Sequence, residues 1–275
     1  MTAPAEELSI PPDSLLKFRA ALPPESDPCL AWHEDLVRHS RLYLAKPSEL
    51  NDPFDCSPSW VADATTALIE RYKQALSKRR LEPLTPPERR AVRRVLPTRL
   101  RDAKFWRTSW LRQMDNHGVC ALSQTIDEPL LWSHYSSGHR GYCVEIRLND
   151  HVVESGDPSY LPVKVHYTDT RVEASVAAWL QAAICGVEDT DLGLKYLTRK
   201  DRRWSYEREW RLIERPGARS IQLPPNCVVG LVFGARCSRG DEATLRRWAS
   251  ARPTALTFKR AIADQRDYTI SIVDA

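Results

Sequence analysis

Three clusters in this 275-residue chain combine residue types that a plain hydrophobic core does not need. The first is Asn51-Asp52-Pro53-Phe54-Asp55. Asn and Asp side chains readily bond to nearby backbone N–H groups, so a turn held by side chains is its ordinary outcome. The same loop could instead contact a ligand through Asn51 and Asp52, with Lys46 nearby for an anion, or offer Asp52 and Asp55 to a divalent cation. The second is Leu131-Trp132-Ser133-His134-Tyr135, followed by His139, Arg140 and Gly141. His134 and Tyr135 could supply a general base, a donor or a stacking surface, although a histidine bonded to a backbone carbonyl is commoner. Cys120, His134, His139 and Cys143 match no standard zinc spacing. The third is Trp204-Ser205-Tyr206-Glu207-Arg208-Glu209-Trp210-Arg211. Strand alternation from Glu207 sends Glu207, Glu209 and Arg211 to one face, with Arg208 and Trp210 on the other. That face is either an exposed ion-pair ladder or the wall of a polar pocket. Trp204, Tyr206 and Trp210 favour the pocket, because rings shield a carboxylate from water and stack on a planar ligand.

The elements that must position these clusters follow from apolar periodicity. A first strand is expected at Leu15–Phe18, ending in Arg19, then a helix over 31–39 and a strand over 42–45. The middle reads as helical. Ala64, Leu68, Tyr72 and Leu76 share one face; a second helix opens at Thr85 with Pro86 and Glu88 in capping-box positions and closes at Pro97. A third helix runs to about His117, with Trp106, Trp110 and Met114 on one face and Gly118 as its stop. Strands are expected over 119–123, 142–146 and 163–167, with a short helix between the first two, opened by Glu128-Pro129 and ended by Gly138. Leu131 and Tyr135 lie four apart on that short helix. A helix over 172–185, strands over 209–213, 220–223 and 228–233, a helix over 241–249 and a strand over 268–273 complete the chain. The expected fold is α+β, with a mixed, mainly antiparallel sheet in a single domain over residues 1–275 and a basic helical insertion at 60–117.

Charge is uneven. Residues 78–107 carry +8, against −4 for the remainder, which gives the chain its net +4. Arg89, Arg90, Arg93 and Arg94 head that excess and are the candidates for nucleic-acid binding, the alternative being a solvated helical face. A composition of 42% hydrophobic and 28% charged residues excludes disorder throughout, and no apolar run is long enough to span a bilayer. Seven cysteines without a C-x-x-C pair fit reduced thiols rather than a disulfide framework. The opening MTAPAEELSIPPDS lacks a basic and an apolar region, which argues against secretion. A cytoplasmic protein is therefore expected.

The ordered motifs N-D-P-F-D, L-W-S-H-Y-x-x-x-H-x-G-x-C-x-E and W-x-Y-E-x-E-W-R, spread over roughly residues 15–240, resemble a bacterial domain family of unknown function. The order of an early strand ending in Arg19, a polar loop and a later strand bearing glutamate is also similar to the ADP-ribosyltransferase fold. Glu207-Arg208-Glu209 resembles the E-x-E arrangement of its arginine-directed members. That resemblance implies NAD as co-substrate and no metal. Arg19 would contact the NAD ribose or phosphates, Asn51, Asp52, His134 and Tyr135 would share its pocket, and Glu209 would grip the nicotinamide-ribose 2′-hydroxyl. Glu207 would orient or deprotonate the acceptor, a nucleic acid before a protein. It also admits a toxin or defence effector with an antitoxin or regulatory partner. The rival readings are a metal-dependent nuclease using Asp52, Asp55 and Glu209, and a non-catalytic binding module.

Overall fold

In a computed structural model describing residues 11–79, 102–148, 161–186 and 190–275, the chain begins β1 (Leu15–Arg19), α1 (Leu30–His39), β2 (Arg41–Leu44), β3 (Ser59–Val61), α2 (Thr66–Arg79) and α3 (Ala103–Met114). It continues β4 (Gly118–Ser123), α4 (Pro129–Tyr135), β5 (Tyr142–Ile146), β6 (Val163–Lys164), β7 (His166–Thr168), β8 (Glu173–Ser175), α5 (Val176–Cys185), α6 (Thr190–Leu197) and β9 (Arg199–Asp201). The last part holds β10 (Glu209–Glu214), β11 (Arg219–Gln222), β12 (Val228–Phe233), α7 (Arg239–Ser250), β13 (Thr257–Ala263) and β14 (Ile270–Asp274). Two compact units result: residues 1–45, 117–165 and 203–275 form one, and residues 46–116 and 166–202 the other. The helical stretch expected as an insertion, apart from its final residue, belongs to the second unit.

The first unit is built on an eight-stranded sheet of order β14-β13-β12-β5-β1-β4-β10-β6. Every neighbouring pair is antiparallel except β12 and β13, which α7 connects. The fold is thus α+β with a mixed, mostly antiparallel sheet, as the sequence led us to expect. Side chains alternate between the faces of a strand, so each strand contributes to two cores. Leu15, Tyr142, Val144, Leu122, Trp210, Leu212 and Phe233 pack on one face with Leu36 and Val37 of α1 and Leu245 and Trp248 of α7. Leu16, Phe18, Cys143 and Val232 pack on the opposite face with Leu131 and Trp132 of α4. Burying a side chain of this size is worth about 1.5–3 kcal/mol, so both faces anchor what covers them.

The second unit centres on aromatic packing. Trp106 of α3 stacks on Trp60 at 5.7 Å and meets Trp179 edge-on at 5.0 Å. Ile69, Val176 and Leu180 complete that core, with Leu68 and Tyr72 of α2 packed against it.

Several expected boundaries differ. Gly118 opens β4 instead of stopping a helix; a Cβ there would lie 2.6 Å from that of Leu44, so glycine permits the close approach. The helix expected over 172–185 starts at Val176, because Glu173–Ser175 pairs with β3 and the Ser175 hydroxyl caps α5 through the Ala178 N–H. The strand expected over 163–167 splits into β6 and β7, which join different sheets. The expected helix between Thr85 and Pro97, with Arg89, Arg90, Arg93 and Arg94, lies outside the described residues. Among the described residues no helix is long and apolar enough to cross a membrane.

Candidate functional site

The site grows from the start of β10. Glu207 ends a 3-10 helix spanning Arg202–Glu207, and Arg208 adopts the left-handed conformation (φ 44°), so β10 proper starts at Glu209. The expected alternation from Glu207 therefore fails at its first step. A non-glycine residue held at positive φ is strained, and the surroundings must fix it. Here Arg208 donates its N–H to the Ser205 carbonyl and accepts from the Gln124 N–H, while the Ser123 hydroxyl donates to the Glu207 carbonyl at 2.7 Å. Ser123 is the residue that sequence reasoning missed. A small polar side chain closing an apolar strand was its only signal.

The kink brings two carboxylates to the α4 side of the sheet. Glu209 lies opposite Ser123, and Ser123 opposite Leu16, which places Glu209 on the Leu16–Phe18 face. The Tyr135 hydroxyl, from the last residue of α4, donates to Glu207 at 2.6 Å. Two residues on, Arg211 Nε donates to Glu209 at 2.6 Å. Glu207 is 4% exposed, Glu209 3% and Arg211 1%. The exposed ladder is excluded; these are buried, partnered charges. Such groups lose several kcal/mol of hydration each and persist only where their partners are well placed.

The short helix carrying Tyr135 is set by local chemistry. The Glu128 carboxylate caps it by accepting from the Leu130 N–H, Pro129 occupies the first turn, and Gly138 follows it at φ 62°. Trp132 locks it to the sheet, meeting Phe18 edge-on at 5.0 Å and donating its indole N–H to the Ile126 carbonyl at 2.7 Å. Beside the carboxylates the rings form a partly open wall. His134 is exposed and lies 6.3 Å from Trp204, which lies 6.0 Å from Tyr206.

The structure thus brings together Glu207, Glu209, Tyr135 and His134 of the sequence candidates. Arg19 stands apart from them. It sits directly opposite Tyr142 in the β1–β5 register, on the face covered by α1 and α7, so the sheet separates it from Glu209. The reason is parity: Arg19 is an odd number of residues from Leu16 and Phe18 along one strand. Asn51 and Asp52 belong to the second unit. There Asp52 accepts from the Phe54 N–H at 2.9 Å, and Asp55 accepts from the Cys56 N–H at 2.9 Å and faces the buried Lys200 ammonium at 3.8 Å. These carboxylates hold a turn, the ordinary outcome for such a sequence.

Residues 131–212 match a family described as a protein of unknown function, DUF2971. This DUF2971 domain starts in α4 and ends in β10, so Tyr135, Glu207, Glu209 and Arg211 all fall inside it. No curated protein and no solved structure matches the chain.

Proposed function

With no activity attached to the DUF2971 domain, we propose that this protein transfers ADP-ribose from NAD to a macromolecular acceptor. One observation carries the reading: two buried carboxylates, two residues apart and each fixed by its own donor, beside a partly open wall of rings. The nicotinamidium of NAD is a planar cation, and that donor set suits it; the rings stack and the carboxylates balance its charge. When the glycosidic bond breaks, nicotinamide leaves with the bonding pair and the ribose becomes oxocarbenium-like. Glu209, held by Arg211, supplies fixed negative charge to that developing cation. The acceptor's nucleophile then bonds to the ribose carbon, and Glu207 takes its proton. Tyr135 orients Glu207 for that step. Arg208, exposed and lying between the two glutamates in sequence, is a cation offered to the diphosphate. The acceptor favoured is a nucleic acid, on the strength of the +8 segment.

NAD consumption by the purified chain, with and without EDTA and beside a nucleic-acid cleavage assay, tests this directly. We expect EDTA-insensitive release of nicotinamide, reduced about a hundredfold or more in folded Glu207→Gln and Glu209→Gln. Unchanged NAD consumption in both folded variants would sink the assignment. Cleavage that needs no NAD and stops with EDTA would make the protein a nuclease instead.

A further inference from the structure

Across the sheet from the two glutamates, the end of β1 presents a different arrangement. Arg19 is half-buried; its guanidinium bonds to the Tyr142 hydroxyl, but its buried Nε has no hydrogen-bond partner, and among the described residues no carboxylate pairs with it. Asp27, which shares the neighbourhood of Cys29 with Arg19, accepts from the Cys29 N–H instead. Two side chains beside Arg19, His33 and Tyr142, are neutral. Tyr142 is fully buried, and its hydroxyl lies 3.0 Å from His33 Nδ1. Burial, reinforced by the Arg19 charge, holds His33 down to about 4, so the imidazole is uncharged at neutral pH. Burial pushes the Tyr142 phenol up, so it keeps its proton.

The loop after α4 packs against the same strand end. Its Ser137 hydroxyl accepts from the Ala21 N–H at 3.1 Å, and a Cβ at Gly141 would lie 2.0 Å from the Arg19 carbonyl oxygen. Two further buried polar atoms of this loop have no partner: Ser136 Oγ, in a fully buried residue, and His139 Nδ1. Arg236 adds positive potential beside His139 and donates its N–H to the His139 carbonyl at 2.9 Å. Buried polar groups are ordinarily satisfied, and buried cations ordinarily paired. Here one guanidinium nitrogen, a hydroxyl and an imidazole nitrogen in touching segments are left over, and the missing element is negative charge.

We propose that this end of the sheet, where Arg19, Tyr142 and the 136–141 loop meet, binds the phosphoryl group of a small anionic ligand. A guanidinium fork with neighbouring neutral donors suits a tetrahedral oxyanion, to which it offers several short, charge-assisted bonds. The site is independent of the NAD reading.

Calorimetric titration of the whole chain with inorganic phosphate, with chloride and acetate as controls at matched ionic strength, tests it. We expect one saturable site for phosphate and none for the controls. Arg19→Gln should weaken phosphate binding at least about tenfold, as loss of a charged donor does. It should leave the thermal midpoint without phosphate nearly unchanged or higher, since it removes a half-buried charge that no carboxylate balances. Histidine ring signals locate the site: those of His33 and His139 should move with phosphate, and that of His134 should not. Absence of saturable binding, wild-type affinity in folded Arg19→Gln, or movement of His134 alone overturns the proposal. Should Arg19→Gln fail to fold, Ser136→Ala and His139→Asn decide, and wild-type affinity in both overturns it.

Discussion

The two faces of the central sheet treat buried charge in opposite ways. On the α4 face, each charge has been given a partner from the chain: Glu207 has Tyr135, and Glu209 has Arg211. On the α1–α7 face, Arg19 has no carboxylate partner among the described residues and lies beside His33 and Tyr142, which stay neutral. Both patterns originate in the same rule of strand parity, with one element ending in a kink at Arg208 and the other in Arg19. A face that completes its own charges can hold reacting groups still. One that leaves a cation uncompensated has free energy left for a ligand. The comparison separates a candidate for chemistry from a candidate for binding, although the two lie on one sheet.

The largest effect should come from breaking a completed pair. Arg211→Met removes the guanidinium from beside a carboxylate that is 3% exposed. Removing one partner of a buried pair typically costs about 3–5 kcal/mol, because the other charge is stranded. Adding Glu209→Gln should recover much of that loss, since the stranded charge is then gone. Urea unfolding of the two single variants and the double variant measures the coupling. A loss under about 1 kcal/mol for Arg211→Met would mean that water reaches Glu209 and that the faces do not differ as argued.

A smaller effect should appear with acid, and it belongs to the Arg19 face. His33 titrates near 4 in the folded protein against an ordinary value of 6.5. Above 6.5 it is neutral in both states and adds no pH dependence. Between 6.5 and about 4 the unfolded chain takes up a proton that the folded protein refuses, so stability falls as pH falls. The full difference is on the order of 3 kcal/mol. His139, also held below its ordinary value by burial, adds to the loss in the same direction. Urea midpoints across this range check the slope, which His33→Gln should flatten. If phosphate occupies the Arg19 site, it should flatten the slope as well, because a bound anion makes protonation of His33 easier.

Much of this was legible in the sequence where periodicity and punctuation agreed. Leu15–Arg19 reads as a strand from its short apolar run, and Pro129–Tyr135 as a helix from Glu128-Pro129 and the spacing of Leu131 and Tyr135. β13 was not expected, because Lys259 and Arg260 interrupt its apolar residues. The structure shows why they are tolerated: Arg260 pairs with Glu242 and lies over the Phe233 ring, and Lys259 lies 3.6 Å from Glu145. The site was half legible. Residue types marked Glu207, Glu209 and Tyr135, but the positive φ at Arg208 is a product of tertiary bonds from Ser123 and Gln124, which no local pattern encodes. The ADP-ribosyltransferase resemblance groups Arg19 with Glu209, an early strand-end arginine with a late strand-borne glutamate. Which face a strand end presents is fixed only by its register with its neighbours.

The smallest effect distinguishes the faces by position along the chain. Ser238 caps α7: its hydroxyl accepts from the Asp241 N–H at 3.0 Å and donates to the Asp241 carboxylate at 2.8 Å. The other oxygen of that carboxylate accepts from the Leu22 N–H at 3.1 Å, three residues after Arg19. The cap therefore ties the helix covering the Arg19 face to the segment that leaves β1. Ser238→Ala should cost about 1 kcal/mol, the usual loss of an N-cap, and Ser238→Thr, which keeps a hydroxyl that both accepts and donates, should restore most of it. The loss should be local. Amide hydrogen exchange should quicken at Leu22 and Glu242, where the first turn of α7 and its tether loosen, while Leu212 and Ile213 in β10 keep their protection. Equal quickening in β10 would show that the two faces open together. The partnered carboxylates and Arg19 would then belong to one cooperative element, and a ligand held at Arg19 would stiffen Glu207 and Glu209 from across the sheet.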